Sequence, residues 1–437
     1  MSRFRPVTLT VVGLCLALTA ALGITLYSRS APGSVTVLAS WSGDEEKAFR
    51  GVLDAFTADT GIRVEYQGTS AQREVLLGEV QAGAPPDIAV LPSSGELVDY
   101  ARLGQVQPLS GVITPDQQKA YGSLWMPRLN IGGREDIYWV PVKADLKSLV
   151  WYDSQRFPGQ PRARLADLSH HGDQWCVGMG GDATSGWPGT DWIEDILLQQ
   201  AGEAAYQAWA TGRSGSWTSP AVRKAWETWH RMLTGADATG EPARALTTDL
   251  RDAWQGMFAE PPTCALEHQA SFIHSSYPRT TGSPRVSRGD FLPSAELIPD
   301  ADRSAGAREV SGDLAAMFRD TPQARKLMHY LASAAAQRSW ADRTAPGNPL
   351  PLSVNREVPP SVYRSDPVTA RVAAELRSPG VQCYDGSDAM PPAMRDAFQR
   401  AVLEYLADAR RLGDLLEELG RVRASVPAQE WLPSVCD

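Results

Sequence analysis

Residues 35–103, VTVLASWSGDEEKAFRGVLDAFTADTGIRVEYQGTSAQREVLLGEVQAGAPPDIAVLPSSGELVDYARL, contain the alternation of strands and helices that decides the fold. Residues 35–39 are rich in β-branched side chains and contain no breaker, which predicts a strand. Asp44 is a candidate cap for the helix that follows. Apolar residues then recur at steps of three and four, as on one face of a helix: Phe49, Val52, Leu53 and Phe56.

The same order repeats along this stretch. Gly61 ends the first helix, residues 63–67 alternate as a strand, and residues 72–82 are helical. A third strand at 87–91 leads into a helix that runs to residue 103. Strand–helix–strand–helix order is typical of a parallel sheet covered by helices on both faces, so we predict an α/β fold. Other segments are predicted as strands (136–142, 149–152, 176–180, 264–273, 291–297, 314–318), and 243–258 is predicted as a helix.

Length and charge limit the possible functions. A chain of 437 residues is long enough for two or three domains. It has 42 basic and 51 acidic residues, a net charge of −9, which argues against binding to nucleic acid. Only six of the 42 basic residues are Lys, a bias that we interpret as the mark of a GC-rich bacterial genome.

The N-terminal segment, residues 1–34, indicates export from the cytoplasm. Arg3 and Arg5 precede an uncharged run over 6–28, whose apolar part, 7–27, is long enough to cross a bilayer. The run is either a cleaved signal peptide or an uncleaved membrane anchor, followed by a short linker, and we favour the anchor. A third interpretation makes Cys15 a lipidated residue.

Four further cysteines lie in the exported part: Cys176, Cys264, Cys383 and Cys436. An even number of cysteines in an exported chain favours disulfides over free thiols. Four cysteines allow three pairings, and at this point the sequence does not choose among them. The sequence contains no C-x-x-C spacing and no H-E-x-x-H motif, so we expect neither a metal nor a cofactor.

Aromatic residues are the most suggestive feature for function. Five of them lie in predicted turns or at strand–helix junctions: Trp41, Trp187, Trp192, Phe272 and Trp340. Open α/β sheets bind ligands beyond the carboxyl ends of their strands, and aromatic rings there can stack on the apolar faces of a sugar. The sequence has no G-x-S-x-G elbow and no phosphate-binding G-K-[ST] loop, and we predict a binding protein and not an enzyme.

Several blocks together resemble a known family. They are VLASWSG at 37–43, APPDIA at 84–89, WPGTDWIED at 187–195, QASFI at 269–273 and MPP at 390–392. In order and spacing they are similar to the solute-binding proteins of carbohydrate ABC transporters, the maltose-binding-like family, in the branch that takes α-glucosides. The similarity extends from about residue 35 to about residue 426.

This resemblance implies a periplasmic-binding-protein-like fold. Two α/β lobes are joined by crossing hinge strands, and ligand binds in the cleft between them. Lobe one is expected at 35–142 and 308–352, and lobe two at 143–307 and 353–437. The lobes would close on the ligand by bending at the hinge.

The resemblance also implies the function. We expect an extracytoplasmic receptor of an ABC importer that docks on permease subunits in the membrane, acts as a monomer and is tethered to the cell membrane or released from it. The alternatives are a membrane-anchored sugar sensor that uses the same fold, and an exported glycoside-active enzyme. The second needs a pair of catalytic carboxylates that the sequence does not identify.

With the lobes defined, specific residues can be assigned. We predict that six residues line the cleft: Trp41, Ser94, Lys143, Trp187, Trp192 and Asp313. We also predict that Cys176 pairs with Cys264 inside lobe two, and that Cys383 pairs with Cys436 and fastens the C-terminus. A neutral sugar or oligosaccharide is the expected ligand, because the first helix opens with three acids and the sequence offers no convergent basic cluster for an anion.

Overall fold

The computed structural model describes residues 33–437, apart from 160, 182–183, 237–239, 281–285 and 346–347. The segment predicted as a signal peptide or anchor, residues 1–32 with Cys15, lies outside the described residues. Among the residues that are described, no helix has both the length and the apolar character to cross a bilayer.

The first part of the chain alternates strands and helices as predicted. The elements are β1 (Ser34–Ala39), α1 (Gly43–Thr60), β2 (Arg63–Gly68), α2 (Gln72–Gln81), β3 (Ile88–Leu91) and α3 (Ser94–Arg102). β1 pairs in parallel with β2 on one edge and β3 on the other, so that Val37 lies opposite both Tyr66 and Ile88. Asp44 lies in the first turn of α1, and Ser42 occupies the N-cap position.

The rest of the chain adds two further sets of elements. The middle part contains α4 (Pro115–Tyr121), β4 (Leu129–Ile131), β5 (Arg134–Asp136), β6 (Trp139–Leu146), β7 (Leu149–Asp153), α5 (Arg162–Leu168), α6 (Trp187–Ala210), α7 (Pro220–Thr234), α8 (Gln255–Phe258), β8 (Glu267–His268) and β9 (Gly289–Pro293). The last part contains β10 (Arg308–Met317), α9 (Pro322–Leu331), α10 (Ala334–Arg343), α11 (Pro367–Glu375), β11 (Gln382–Tyr384), α12 (Gly386–Ala389), α13 (Pro392–Ala407) and α14 (Leu412–Ser425).

Two sheets organise the molecule. The larger has six strands in the order β11–β10–β3–β1–β2, with β6 paired to β10 as well. β10 is antiparallel to β3 and to β6, and its first three residues pair in parallel with β11. The smaller sheet is antiparallel, in the order β8–β7–β9. β6 leaves the larger sheet and β7 enters the smaller one, so the turn between them, at Lys147 and Ser148, connects the two sheets.

Three sequence predictions were wrong in detail. Residues 176–180 form no strand. Only single bridges are present, from Trp175 to Leu266 and from Gly180 to Asp249, because Gly178 and Gly180 weaken a strand at this point. The segment 264–273 is a strand only at Glu267–His268. Residues 243–258 are not one helix: a 3-10 helix at Pro242–Thr247 is followed by turns and then by α8. The Asp249 carboxylate in the turns accepts hydrogen bonds from Arg251, which competes with a continuous helix.

Both disulfides join the predicted pairs. Cys176 is bonded to Cys264, and the backbone N–H of Cys176 also donates to the carbonyl of Leu266, which draws these two segments together without a regular strand. Cys383 is bonded to Cys436, and the C-terminal residues pair with β11 through Val435 and Asp437. The second disulfide therefore fastens the end of the chain to the strand that precedes α12.

Candidate ligand-binding cleft

A cavity of about 750 Å³ lies beyond the carboxyl ends of β1 and β3. Its opposite side is built by the first turns of α6, α12 and α13, and its floor by the crossing strands β6 and β10. This volume suits a ligand of one to a few sugar rings. Four of the six predicted residues line it, namely Trp41, Lys143, Trp187 and Asp313.

Aromatic rings stand on two sides of the cavity. Trp41 contacts Trp340 with ring centroids 4.7 Å apart, and both rings are held by the core residue Phe49. Across from them, Trp187 and Phe272 have centroids 6.0 Å apart. Phe272 is 36% exposed, unusual for a large apolar side chain, so its ring is free to contact a ligand.

The position of Trp187 depends on the residue before it. Gly186 is the N-cap of α6 with φ +97°, a left-handed conformation that favours glycine. A Cβ on Gly186 would lie 2.6 Å from the backbone oxygen of Gln399 in α13. Glycine therefore lets α6 start close against α13 and brings Trp187, its first residue, to the cavity.

The crossing strands that form the cavity floor carry charged side chains. Lys143 and Asp145 lie two residues apart on β6, so they share a face of the strand, and Asp313 is the cross-strand partner of Lys143. The ammonium of Lys143 donates to Glu45 at 2.6 Å and lies 4.0 Å from the Asp313 carboxylate. Burial raises the pKa of Asp313 to about 7; Lys143 opposes this shift, and the charges of Asp145 and Glu45 add to it.

A second lysine, which the sequence analysis did not identify, is the centre of a buried charge cluster. Lys147 donates to Asp191 of α6 at 2.7 Å, also pairs with Asp385, the N-cap of α12, and lies 5.5 Å from the ring of Trp187. Burial alone would lower the pKa of Lys147, but the carboxylates around it raise this pKa well above its ordinary value. Lys147 thus remains charged and holds α6 and α12 beside the hinge.

The carboxyl groups of Asp191, Glu194 and Asp385 are close enough together to be considered as a cation site, with ligand atoms within 4.8 Å of one another. Lys147 already supplies positive charge to two of them. Glu194 accepts hydrogen bonds from the backbone N–H groups of Gly386 and Ser387. Burial, and next the charge of Asp385, raises the pKa of Glu194 well above its ordinary value, which favours its neutral form. These residues are a structural cluster that needs no further cation.

The placement predicted for Trp192 was wrong. Its side chain is 1% exposed, stacks on His268 with ring centroids 4.4 Å apart and meets Trp175 edge-on, so it belongs to the core behind the cleft. Five residues of α-helix separate it from Trp187, a rotation that leaves the two side chains about 140° apart around the helix axis. Only one of them can face the cavity.

Ser94 is also misplaced in the prediction, by one residue. Ser93 is the N-cap of α3 and lines the cavity, and its hydroxyl accepts from the N–H of Glu96. The same hydroxyl donates to the backbone oxygen of Asp388 at 2.8 Å. Ser94 is the first residue inside the helix, is buried and is not among the lining residues. The N-cap preference for Ser at either position gave no way to choose between them from sequence.

At one end of the cavity, ion pairs connect α2 and α3 to α13. Arg73 of α2 binds Asp396 with distances of 3.1 and 3.3 Å, and Arg395 of α13 binds Glu96 of α3 at 3.1 Å. Arg73 also lies 3.6 Å from Glu96, so the four residues form one network. Sequence spacing gave no signal for this network, because its hydrogen-bonded pairs join residues 323 and 299 positions apart.

Comparison with known proteins identifies relatives of most of the chain. Residues 40–338 match the family described as bacterial extracellular solute-binding proteins. The osmoprotective compounds-binding protein GgtB of Synechocystis sp. is 30% identical over 422 residues, which cover 93% of this chain and 96% of that protein. The alpha-glucosides-binding periplasmic protein AglE of Rhizobium meliloti is 30% identical over 398 residues, covering 85% and 83%. All of these are solute-binding proteins and not enzymes.

Solved structures support the same fold. The maltose/maltodextrin-binding domain MalE from Bdellovibrio bacteriovorus, bound to maltotriose, superposes with a TM-score of 0.65 at 15% identity and covers 90% of this chain and 98% of its own. The bacterial solute receptor AcbH superposes with a TM-score of 0.70 at 14% identity, covering 89% and 98%. At these identities the likeness concerns the fold, which is the predicted two-lobed α/β fold.

Proposed function

We propose that this chain, which belongs to the bacterial extracellular solute-binding proteins and to their carbohydrate-binding group in ABC transport, captures a neutral sugar or oligosaccharide and delivers it to the permease of an importer. The observation that carries this proposal is the cavity of about 750 Å³ with aromatic rings on two sides and charged hydrogen-bonding groups on its floor. Rings can stack on the apolar faces of a sugar, and fixed polar groups can bind its hydroxyls.

The ligand residues of the proposal are Trp41, Lys143, Trp187 and Asp313, with Phe272 added from its exposure at the cavity. Trp187 and Phe272 would stack on one ring of the ligand, and Trp41, which is 4% exposed, would contact another through the small exposed part of its ring. Lys143 and Asp313 would bind hydroxyls between them, the ammonium as donor and the carboxylate as acceptor.

An α-glucoside is the ligand type that the relatives favour. AglE binds alpha-glucosides by its name, and GgtB binds osmoprotective compounds. A small α-glucoside would match the name of AglE and would fit the cavity.

Closure of two lobes would bring the binding residues together. We place lobe one at 35–142 and 308–352, and lobe two at 143–307 and 353–437. Trp41 then belongs to lobe one and Trp187 to lobe two, so a ligand that touches both favours the closed state by population shift. The Arg73–Asp396 and Arg395–Glu96 pairs would form only on closure.

A membrane-anchored sugar sensor with the same fold is the second candidate, favoured by the apolar run at 7–27 if that segment is retained. The two functions differ in their partner. Genes for a permease and its ATPase beside this gene, and loss of sugar uptake when this gene is deleted, would identify the importer. A sensor would leave uptake intact and change the transcriptional response to the sugar.

A thermal-shift screen against mono- and oligosaccharides tests the binding function. A sugar at about 100 times its dissociation constant stabilises the folded state by about 2.7 kcal/mol, a readily measured increase in Tm. Phosphate, ferric ion and a short peptide are the controls for other ligand classes. An increase in Tm with one of these, and with no sugar, would contradict the proposal.

A further inference from the structure

The cations that line the cavity are already paired with carboxylates. Each of the four basic side chains has a partner: Lys143 with Glu45, Lys147 with Asp191 and Asp385, Arg73 with Glu96 and Asp396, and Arg395 with Glu96. These pairs are made between side chains of the protein itself, and two of them, Arg73–Asp396 and Arg395–Glu96, are the pairs proposed to form on closure. A ligand that enters the cavity therefore meets donors whose charge is largely neutralised.

Carboxyl groups, in contrast, remain in excess. Asp145, Asp313 and Asp388 also line the cavity. Asp145 accepts a hydrogen bond from the hydroxyl of Ser271 at 2.7 Å, and the nearest cation to Asp313 is Lys143 at 4.0 Å. In the described part of the chain no Lys or Arg nitrogen comes within 4.0 Å of the Asp388 or the Asp145 carboxylate.

Burial and neighbouring charges shift the pKa values of two of these groups. Burial, followed by the charge of Asp385, raises the pKa of Asp388 to about 7, and the charges of Lys147 and Arg395 oppose this shift only in part. Asp313 has a pKa of about 7 for similar reasons. Two partly buried carboxyl groups that repel each other and titrate near neutrality favour any ligand that brings positive charge between them.

We propose that the cleft binds sugars carrying a basic amine as a second ligand class, more tightly than the corresponding neutral sugars, with the ammonium group placed against Asp313 and Asp388. This rests on the proposed sugar-binding function. Because every lining Lys and Arg is paired, an anionic sugar would find no unpaired cation among the described lining residues. The affinity should therefore follow the ligand's charge, from ammonium through hydroxyl to carboxylate.

The experiment is a charge series on one scaffold, measured by calorimetry at pH 7 with the full-length protein in a detergent that has no sugar headgroup. The probes are methyl α-glucoside, its 2-amino and 6-amino derivatives, its N-acetylated 2-amino derivative and methyl α-glucosiduronate. We expect at least one amino derivative to bind about tenfold more tightly than methyl α-glucoside, since charge-assisted hydrogen bonds are the strong ones. The N-acetyl form, which keeps nitrogen without charge, should lose that gain, and the uronate should bind about tenfold more weakly.

The Asp388→Asn and Asp313→Asn variants keep the shape of the side chain and remove its charge. We expect Asp388→Asn to reduce the preference for the amine by about tenfold while neutral-sugar affinity changes much less. Asp313 is also a proposed acceptor for sugar hydroxyls, so Asp313→Asn should weaken the binding of neutral sugars as well as reduce the preference. Asp414→Asn, on an exposed position of α14 that does not line the cavity, is the matched control and should keep the preference.

The outcomes separate this inference from the function on which it rests. If methyl α-glucoside binds and no amino derivative binds more tightly, or if the preference survives both Asn variants, the inference is wrong and the proposed function stands. If neither neutral nor amino sugars bind, the proposed function fails with it.

Discussion

Trp187 and Phe272 form the aromatic surface on the α6 side of the cleft. Replacing Trp187 with Ala removes a stacking surface worth on the order of 1–3 kcal/mol, so we expect the affinity for the best sugar of the screen to fall about 5- to 150-fold. Calorimetry measures this change. Trp254→Ala, a partly exposed indole that does not line the cavity, is the control and should leave the affinity unchanged. Unchanged affinity in Trp187→Ala would place this residue in packing instead of binding.

The buried side chain of Glu267 should make the stability of the folded protein depend on pH. Its carboxylate is buried in β8, accepts from the hydroxyl of Tyr277 at 2.7 Å, and burial raises its pKa to about 8. A raised carboxyl pKa means that the folded state holds its proton more tightly than the unfolded state. The protonated Glu267 side chain therefore contributes to stability at low pH, and this contribution is lost as the pH rises from about 4 to about 8.

Glu267→Gln keeps the side-chain shape and cannot titrate. We expect wild type to lose more stability than this variant between pH 5 and pH 9, by on the order of 1–3 kcal/mol, in urea denaturation curves. Glu203→Gln, on the exposed face of α6, should behave as wild type does. Parallel pH profiles for wild type and Glu267→Gln would contradict the assignment.

Some residues of the cleft could be predicted from the sequence, and others could not. Trp41 was predicted because it follows the first strand, and Lys143 because it lies at the crossover. Trp187 was predicted from the turn into a helix, and Asp313 from the family resemblance. Trp192 was wrong because turn and helix positions within one block are not resolved by spacing alone. The role of Lys147 depends on partners 44 and 238 positions away in sequence, Asp191 and Asp385, and only the folded chain shows that they meet.

At the scale of elements, the approach of α3 to the turn before α13 is unusually close. A Cβ on Gly95 would lie 2.0 Å from the backbone oxygen of Met390, so nothing larger than glycine fits without moving one of the two segments. We expect Gly95→Ala to hold the two sides of the cleft apart and to weaken sugar affinity at least tenfold, because the closed state is penalised.

Gly78→Ala is the matched control for that change. Gly78 lies inside α2, and a Cβ there meets no atom of the described structure within 4 Å. Alanine should stabilise this helix by about 0.5–1 kcal/mol and leave the affinity as it is. Equal affinities in both variants would show that the contact at Gly95 is not part of binding.

The disulfide Cys383–Cys436 links the C-terminus to β11, the strand that leads into α12. Losing a native disulfide typically costs about 2–5 kcal/mol, and here it would release the C-terminal residues from β11. We expect Cys436→Ser to lower the free energy of unfolding by that order and to weaken sugar binding, because Asp385 follows β11 directly. Non-reducing peptide mapping of wild type should find both disulfide pairs, and four alkylatable thiols would contradict the structure.

The alternation of strands and helices in the first hundred residues was predictable because its signals are local. Caps, glycine stops and three- to four-residue apolar steps define β1 to α3 within one or two residues. The segments 176–180 and 264–273 were harder, since they are held by a disulfide and by single bridges between distant residues. Non-local contacts of this kind leave little trace in hydrophobic periodicity.

At the scale of the whole molecule, the network of Arg73, Glu96, Arg395 and Asp396 connects the two sides of the cleft. Arg73 and Asp396 are each about 40% exposed, so salt should screen this pair more than the buried Arg395–Glu96 pair. We expect sugar affinity to fall several-fold between low and high salt in wild type. The salt dependence should be smaller in the double variant Arg73→Gln with Asp396→Asn, as calorimetry at both ionic strengths would show.

The central claim is that one sugar binds between the two sides of this cleft. Calorimetric titration of the full-length protein with maltose, trehalose and sucrose tests it most directly. We predict that at least one of these α-glucosides binds at one molecule per chain, with a negative heat-capacity change from the burial of aromatic surface, and that Trp187→Ala loses most of this binding. Absence of binding by every sugar tested, together with tight binding of phosphate, ferric ion or a peptide, would contradict the claim.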